Sequence, residues 1–579
     1  MSFVRGMLTF PSAVERCLSA IFFGMCVVTA FAVPAKRDRC WLKLADGTAI
    51  EATRMGDETI HFYLTDDGQY LQCDSLDIAH FVEPDAIHKR WKSRLEKRQN
   101  VRTRRNAVKR QKSYPSSISG SKRGLVILVQ FPSLPFQFSN STFQDYFNKE
   151  GYTDDLNRGS VHDYFYDSSY GQFDFSFDVV GPITMSQSLA YYGANNKNGD
   201  DQHPAVMVTE AVHMLDDEVD FSQYDWDGDG VVEQIYIIHS GFDEAQSGTR
   251  NDIWSHAWTL TEAKDENDGN GPVLVDGVII DSYATSSELR DNNGTKISGI
   301  GTACHEFSHC FGLPDTYDTA GHNFGMRSWD LMDYGEYNGD GGTPAGFTSY
   351  ERMFCGWLEP IELNEATIVR DMPALTSEPV AYILRNSGKY DEYYLLENRQ
   401  QESWDSHLAG HGMLILHVDY DSLAWMENTL NTVRSHQRMT IIPADNLLYT
   451  YTLAGDPWPG TTGNTELSNT SIPAATLYNM NADGSTYMDH SFTEISESAD
   501  GLISFIFDEE VLGIGDAERI NDKGQMINDN AVYDLAGRRI DNSKFKIQNS
   551  SQSSGAGGAK LQKGIYIRSG KKHLITTTQ

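Results

Sequence analysis

Cysteine is scarce in this chain. Its 579 residues include seven: Cys17 and Cys26 in an N-terminal apolar run, Cys40 and Cys73 just after it, and Cys304, Cys310 and Cys355 further on. So few exclude a dense disulfide framework and leave a Cys40–Cys73 bridge as one pairing open to the N-terminal section. Positive charge is also short, with 47 Lys and Arg against 81 Asp and Glu and a net charge of −34. A body this acidic repels nucleic acid and suits an exported protein. Twelve of the basic residues crowd into 89–112 beside one acid, Glu96, and one aromatic, Trp91. No binding module surrounds them, so a solvated linker is the reading. Long hydrophobic runs are missing too. The run Cys17–Ala32 has 16 residues, short of the ~20 that span a bilayer. Arg5 and Arg16 precede it, and Ala30-Phe31-Ala32 offers the small residues that signal cleavage requires. Residues 1–32 therefore read as a signal peptide, with no transmembrane segment after its removal and a secreted or cell-surface product.

What is present divides into further sections, since the length exceeds one core. Residues 33–120 begin with short alternating runs such as Trp41–Leu44 and Ile60–Leu64, punctuated by Asp-Gly pairs. They read as a small antiparallel β unit followed by the basic linker. Residues 121–359 open on an apolar strand, Gly124–Phe131. They continue with strands at Phe173–Val180, Gln234–Ser240 and Val278–Ala284 and helices at Pro204–Leu215 and Ile300–Phe311. Residues 360–510 are richer in strands and read as a β-sandwich-like domain. Residues 511–579 read as a small β module with a Ser/Gly/Gln-rich insert at 548–558. The fold class is α+β.

The chemistry centres on His305-Glu306-Phe307-Ser308-His309. On a helix, histidines four apart project from one face and can share a tetrahedral metal. Glu306 then sits beside the metal, placed to act as general base on a water. Gly312 permits the positive φ that ends the helix, and Pro314 cannot continue it. Asp315 is thereby returned towards the metal as third ligand, with Asp318 and His322 as fallbacks and a fourth position open. Cys304 and Cys310 flank the histidines at a spacing that turns them from the ligand face into core positions. Elsewhere, Asp225, Asp227 and Asp229 with Gly230 and Glu233 follow the first half of an EF-hand loop, but Tyr236 stands where that loop needs glutamate. Calcium and a plain Asp/Gly turn both remain open there.

The later run Trp329-Asp-Leu-Met-Asp-Tyr-Gly335 resembles the metzincin clan of zinc peptidases. The resemblance makes Met332 the methionine of the turn beneath the zinc and Tyr334 the donor to the reaction oxyanion. The patterns His305–Asp318 and Trp329–Gly335, with Ser160–Gln172, Ile253–His256, Ser349–Trp357, Tyr394–Arg399 and Gly412–His417, resemble the immune inhibitor A family of secreted bacterial metallopeptidases. That likeness covers about residues 120–510. It implies a metzincin-like catalytic domain over 121–359 and a propeptide over 33–120, with calcium a common trait. Tyr533–Arg539 and Gly564–Lys571 resemble tail modules of exported bacterial proteins, some of which engage secretion or surface-sorting machinery.

The resulting reading is a secreted zinc endopeptidase made as a latent precursor. Zinc lies on His305, His309 and Asp315, Glu306 is the base, and the partners are protein or peptide substrates. Cys40, Cys73 or an aspartate of the propeptide is the blocking ligand. The rival is an inactive surface-binding protein on the same fold, and a third reading is a cytoplasmic protein with structural zinc. Neither of the residues that inactive relatives lose, the glutamate or a histidine, is missing here.

Overall fold

The computed structural model describes residues 31–94 and 118–508, apart from 59, 75, 155, 197, 198 and 293, together with four short strands between 532 and 575. Most of the signal run, residues 95–117 of the basic linker and the Ser/Gly/Gln-rich insert lie outside the described residues.

The chain enters with β1 (Phe31–Ala32) and then a closed barrel of β2 (Arg39–Leu44), β3 (Ala49–Gly56), β4 (His61–Leu64), β5 (Tyr70–Cys73) and β6 (Ile78–Val82). Successive strands pair antiparallel, and a parallel β2–β6 pairing closes the ring. Alternation places Leu42, Ala52, Tyr63, Leu71 and Ala79 inside. Cys40 and Cys73 pack against them and are both free thiols. The bridge open to them in the sequence is thus not formed. Burial pushes both thiols up, Cys73 to about 11. A helix, α1 (84–94), follows.

The body begins with β7 (Gly120–Gln130), α2 (Asn140–Asn148), α3 (Val161–Ser168), β8 (Phe173–Thr184), α4 (Leu189–Gly193) and α5 (Pro204–Leu215). Then come β9 (Ile235–Phe242), α6 (Glu244–Ser247), β10 (His256–Thr259), α7 (Leu260–Asp265), β11 (Val273–Val275), β12 (Val278–Ile280), β13 (Ser282–Leu289) and α8 (Ile300–Cys310). One six-stranded sheet runs β1-β10-β13-β9-β7-β8. Its centre is parallel, whereas β10 and β1 add antiparallel at one edge. Phe31 and Ala32, read from sequence as the end of the signal, are thus paired with Ala257 and His256.

Both faces of this sheet are covered, which is why β7 reads as an unbroken apolar run. Leu125, Ile127 and Val129 join α5, whose Ala205, Val208, Ala211, Val212 and Leu215 form one helical stripe. Val126 and Leu128 face the other way, into the cluster that holds Ala303 and Phe307 of α8 and Phe311 just after it. The ring of Phe307 stacks on Tyr236 of β9 at 4.7 Å between centroids. The single strand expected at 278–284 is two strands in two sheets. Asp281 breaks it: its carbonyl accepts from Leu260 N and its carboxylate from Thr261, so the chain turns to cap α7.

After α9 (Ser349–Cys355) come β14 (Ile361–Glu362), β15 (Thr367–Met372), β16 (Tyr382–Asn386), β17 (Lys389–Arg399), β18 (Gly412–Asp419), α10 (Ser422–Met426), β19 (Met439–Ile441), β20 (Phe492–Glu497) and β21 (Ile503–Phe507). A five-stranded sheet, β14-β16-β17-β18-β19, faces the three-stranded sheet β15-β21-β20. Tyr394, Leu396, Met413 and Ile415 point into the core between them. Tyr393, Leu395, Leu414, Leu416 and Val418 point the other way and share the cluster of α8 and Met332. Strands β17 and β18 are therefore buried on both faces and weld the β-rich part to the site.

Leu395→Ala tests that weld. It should cost about 2–5 kcal/mol of stability, read by denaturant unfolding; a loss within error would show that the shared face is not packed as described.

Candidate metal centre

Helix α8 starts from Gly299 with no side-chain cap, and every residue from Ile300 to His309 is buried. Gly301 is required on it, because a Cβ there would lie 1.9 Å from the carbonyl oxygen of Glu336. The helix stops at Gly312, which has φ +95°. An L side chain rarely adopts that angle, so glycine makes the reversal cheap. The carbonyl of Leu313 is thereby brought back against His309, whose Nδ1 donates to it at 2.8 Å. His305 Nδ1 donates to the carbonyl of Leu331 at 2.9 Å. A carbonyl only accepts, so both Nδ1 atoms carry a proton and both Nε2 atoms point into the site.

There they meet Asp315. The two Nε2 atoms are 3.2 Å apart, and Asp315 Oδ1 is 3.1 Å from one and 3.5 Å from the other. Donors about 2.0–2.1 Å from a tetrahedral zinc stand ~3.3 Å from one another. The set fits a cation of that kind in separation, softness and count. Asp318 and His322, the fallback ligands, are not brought in. The Asp318 carboxylate accepts from the amides of Ala320, His322 and Asn323, and the His322 ring lies against His88. Cys304 faces the apolar cluster.

Glu306 is fully buried, and neither carboxylate oxygen has a hydrogen-bond partner. Burial raises its pKa well above the usual range, while His305 opposes that and Asp315, Glu336 and Glu58 add to it. Burial disfavours protonation of His305, but Glu336 and Asp315 prevail and raise it to about 10. Burial and the His305 charge push His309 well below its ordinary value. Burial raises Asp315 against the pull of His305, Asn428 and Tyr317. Four buried acids and bases around one point, with an orphaned carboxylate among them, form a pocket for a cation.

Met332 is fully buried, and its carbonyl accepts from the amide of Thr316 at 2.8 Å. The turn 331–332 thus holds both His305 and the residue next to Asp315. Tyr334 is half-buried at the start of a 3-10 segment, and the Arg37 guanidinium sits 4.2 Å above its ring. Asn428 was not singled out in the sequence. Its Nδ2 donates to Asp315 Oδ2 at 2.6 Å and its Oδ1 accepts from Asp315 N at 2.9 Å. No motif marks it, and the one local signal is an asparagine just past a short helix.

A second acidic group gathers Asp225, Asp227 and Asp229, whose oxygens lie within 4.8 Å of one another. Glu233 is outside that group. Its Oε2 accepts from Trp226 N at 2.8 Å, and burial raises its pKa to about 8. Asp225 is occupied as well, accepting from the amides of Gly228, Asp229 and Gly230.

The family model of the immune inhibitor A peptidase M6 catalytic domain matches residues 133–357. Immune inhibitor A of Bacillus thuringiensis subsp. alesti is 27% identical over 304 residues, 45% of this chain and 43% of that protein. Pre-pro-metalloprotease PrtV of Vibrio cholerae serotype O1 (strain M66-2) is 27% identical over 292 residues, 42% of this chain and 31% of that protein. The chain thus spans less than half the length of these curated relatives. The matched segment contains the helix, the three converging donors and the methionine turn, and it is this part of the chain that is similar to the immune inhibitor A peptidase M6 catalytic domain.

Proposed function

We propose that the protein is a secreted zinc endopeptidase, with a metzincin-like catalytic domain, made as a latent precursor. The observation that carries this is the convergence of His305 Nε2, His309 Nε2 and Asp315 Oδ1 beside the orphaned carboxylate of Glu306. Zinc bound there supplies Lewis acidity, polarising a carbonyl and easing deprotonation of a water. Glu306 takes the water proton on a carboxylate oxygen and passes it to the leaving amine. Tyr334 donates its phenol hydrogen to the oxyanion. Protein and peptide chains are the substrate class, as the name of the PrtV relative and the description of the matching family model support. No helix among the described residues is long and apolar enough to cross a membrane.

Latency rests on where the first described residues lie. Arg37 covers Tyr334, and Pro34 O accepts from Tyr337 Oη at 2.8 Å. Lys36 binds Asp291 and Asp340 at 2.9 and 3.0 Å. Met55, Ile60 and Phe62 of the barrel pack with Ala320, five residues beyond Asp315. The turn between β3 and β4 thus approaches the site, and its acids act on it: Glu58 on Glu306, and Asp57 with Glu58 on Tyr317. Cys40 and Cys73 lie inside the barrel, so this acidic turn, rather than a thiol, is the blocking element.

Glu306→Ala should retain one zinc per chain and lose essentially all casein cleavage; full activity in that variant would sink the scheme. A wild-type chain that binds zinc but cleaves nothing after maturation would favour the inactive binding protein instead. Trypsin cleavage near Arg104-Arg105 or Lys109-Arg110, with loss of the N-terminal fragment, should raise proteolysis many-fold. Equal activity before and after removal would refute latency.

The Asp225–Asp229 turn is proposed as a structural calcium position. Calcium added to the zinc-loaded protein should raise its melting temperature, and Asp227→Asn should abolish the rise. An unchanged wild-type melt would leave a plain turn.

A further inference from the structure

Beside Tyr317 within the matched segment, a residue outside that segment also holds Asp315. An aspartate on a loop has two oxygens and a free χ1, and only one oxygen faces the histidines. The other is held by Asn428, which lies beyond residue 357, in the β-rich part of the chain.

The grip is reciprocal. Asp315 N can only donate, so Asn428 Oδ1 must face it, at 2.9 Å. The amide nitrogen is then left to face the carboxylate, and it does so at 2.6 Å. One side chain therefore fixes both the backbone and the carboxylate of the same residue, in one amide orientation. Asn428 is itself buried.

Its backbone is the independent observation. Asn428 has φ +52°. It follows α10, whose last turn it closes by donating its N–H to the carbonyl of Trp425. Glycine is the usual residue where a helix ends in the left-handed conformation, with asparagine second. Glycine would serve this backbone with less strain but would carry no carboxamide. The anchorage around it is firm. Trp425 and Leu430 belong to the large cluster that contains Met332. Asn431 donates to the carbonyls of Thr316 and Met439 at 2.6 and 2.7 Å. The loop 428–431 thus clamps residues 315 and 316 against β19.

We infer that Asn428 is a positioning residue for the metal centre, aiming Asp315 Oδ1 by holding Oδ2 and the backbone amide. This rests on the proposed metal site and extends it. The ligand set is completed by the part of the chain that follows the peptidase segment, and that segment alone would hold its third ligand poorly.

The test uses the whole chain and reads zinc affinity by chelator competition, with the melting temperature of the metal-free protein alongside. Asn428→Gly keeps the left-handed backbone and removes the carboxamide. Asn428→Asp keeps the shape and the acceptor for Asp315 N but sets one carboxylate oxygen against another. Both should bind zinc roughly 10–100-fold more weakly than wild type, the range typical for partners of metal ligands. Asn428→Asp should be the weaker binder near neutral pH, and the metal-free Asn428→Gly chain should still unfold cooperatively. Zinc affinity equal to wild type in either folded variant overturns the inference while leaving the metal site intact. A wild-type chain that binds no zinc overturns the metal reading and this inference together.

Discussion

Two hydrogen bonds carry the site: His305 Nδ1 to Leu331 O and His309 Nδ1 to Leu313 O. Each fixes a proton on Nδ1 and a ring angle, and together they leave two Nε2 atoms 3.2 Å apart. Neither acceptor is on the helix that bears the histidines. One belongs to the reversal after Gly312 and the other to the turn before Met332. Helix, reversal and methionine turn are therefore one mechanical unit, and a shift in any of them misaims a donor. Burial makes this arrangement costly without a cation, since the imidazoles, Asp315 and Glu306 are all removed from water.

That unit is held from behind by the β-rich part. Arg399, on β17, donates to Trp329 O at 3.0 Å and to Gly346 O at 3.1 Å, on either side of the methionine turn. Its charge is balanced by Glu397 and by a two-bond contact with Asp405, with every partner buried. A buried guanidinium so fully paired specifies position more than it adds stability. Trp329 Nε1 reaches the other way, to Asp456. The apolar face of β17 and β18 fills the space between. The peptidase segment and the strands after it thus share one core, which is how a residue as distant as Asn428 comes to hold Asp315.

Much of this was legible locally. Helix α5 has the bounds its stripe predicts, and α8 begins at Ile300 and ends one residue before the expected Phe311. Gly312 has the positive φ its position demands. What was not legible depends on partners far along the chain. The break at Asp281 requires α7 beside it. Cys40 and Cys73 read as a bridge or a metal ligand until barrel closure puts them inside. Glu233 matched a calcium pattern, but the fold turns it to Trp226 N. Asp318 and His322 competed with Asp315 on spacing alone, and three backbone amides settled Asp318 as a turn cap.

The sequence by itself determined the residues of the candidate site: two histidines one helical turn apart, a glutamate between them, a glycine to reverse the chain and an acid to meet it. These are short-range facts, governed by helix pitch and by which residues tolerate positive φ. Tertiary structure decided which oxygen of Asp315 faces inward, which carbonyls orient the imidazoles, and what lies over Tyr334. The first and last of those choices are made by residues more than a hundred positions away (Asn428 on one side, Arg37 on the other), because burial and hydrogen bonding act through space and leave no spacing for a motif to record.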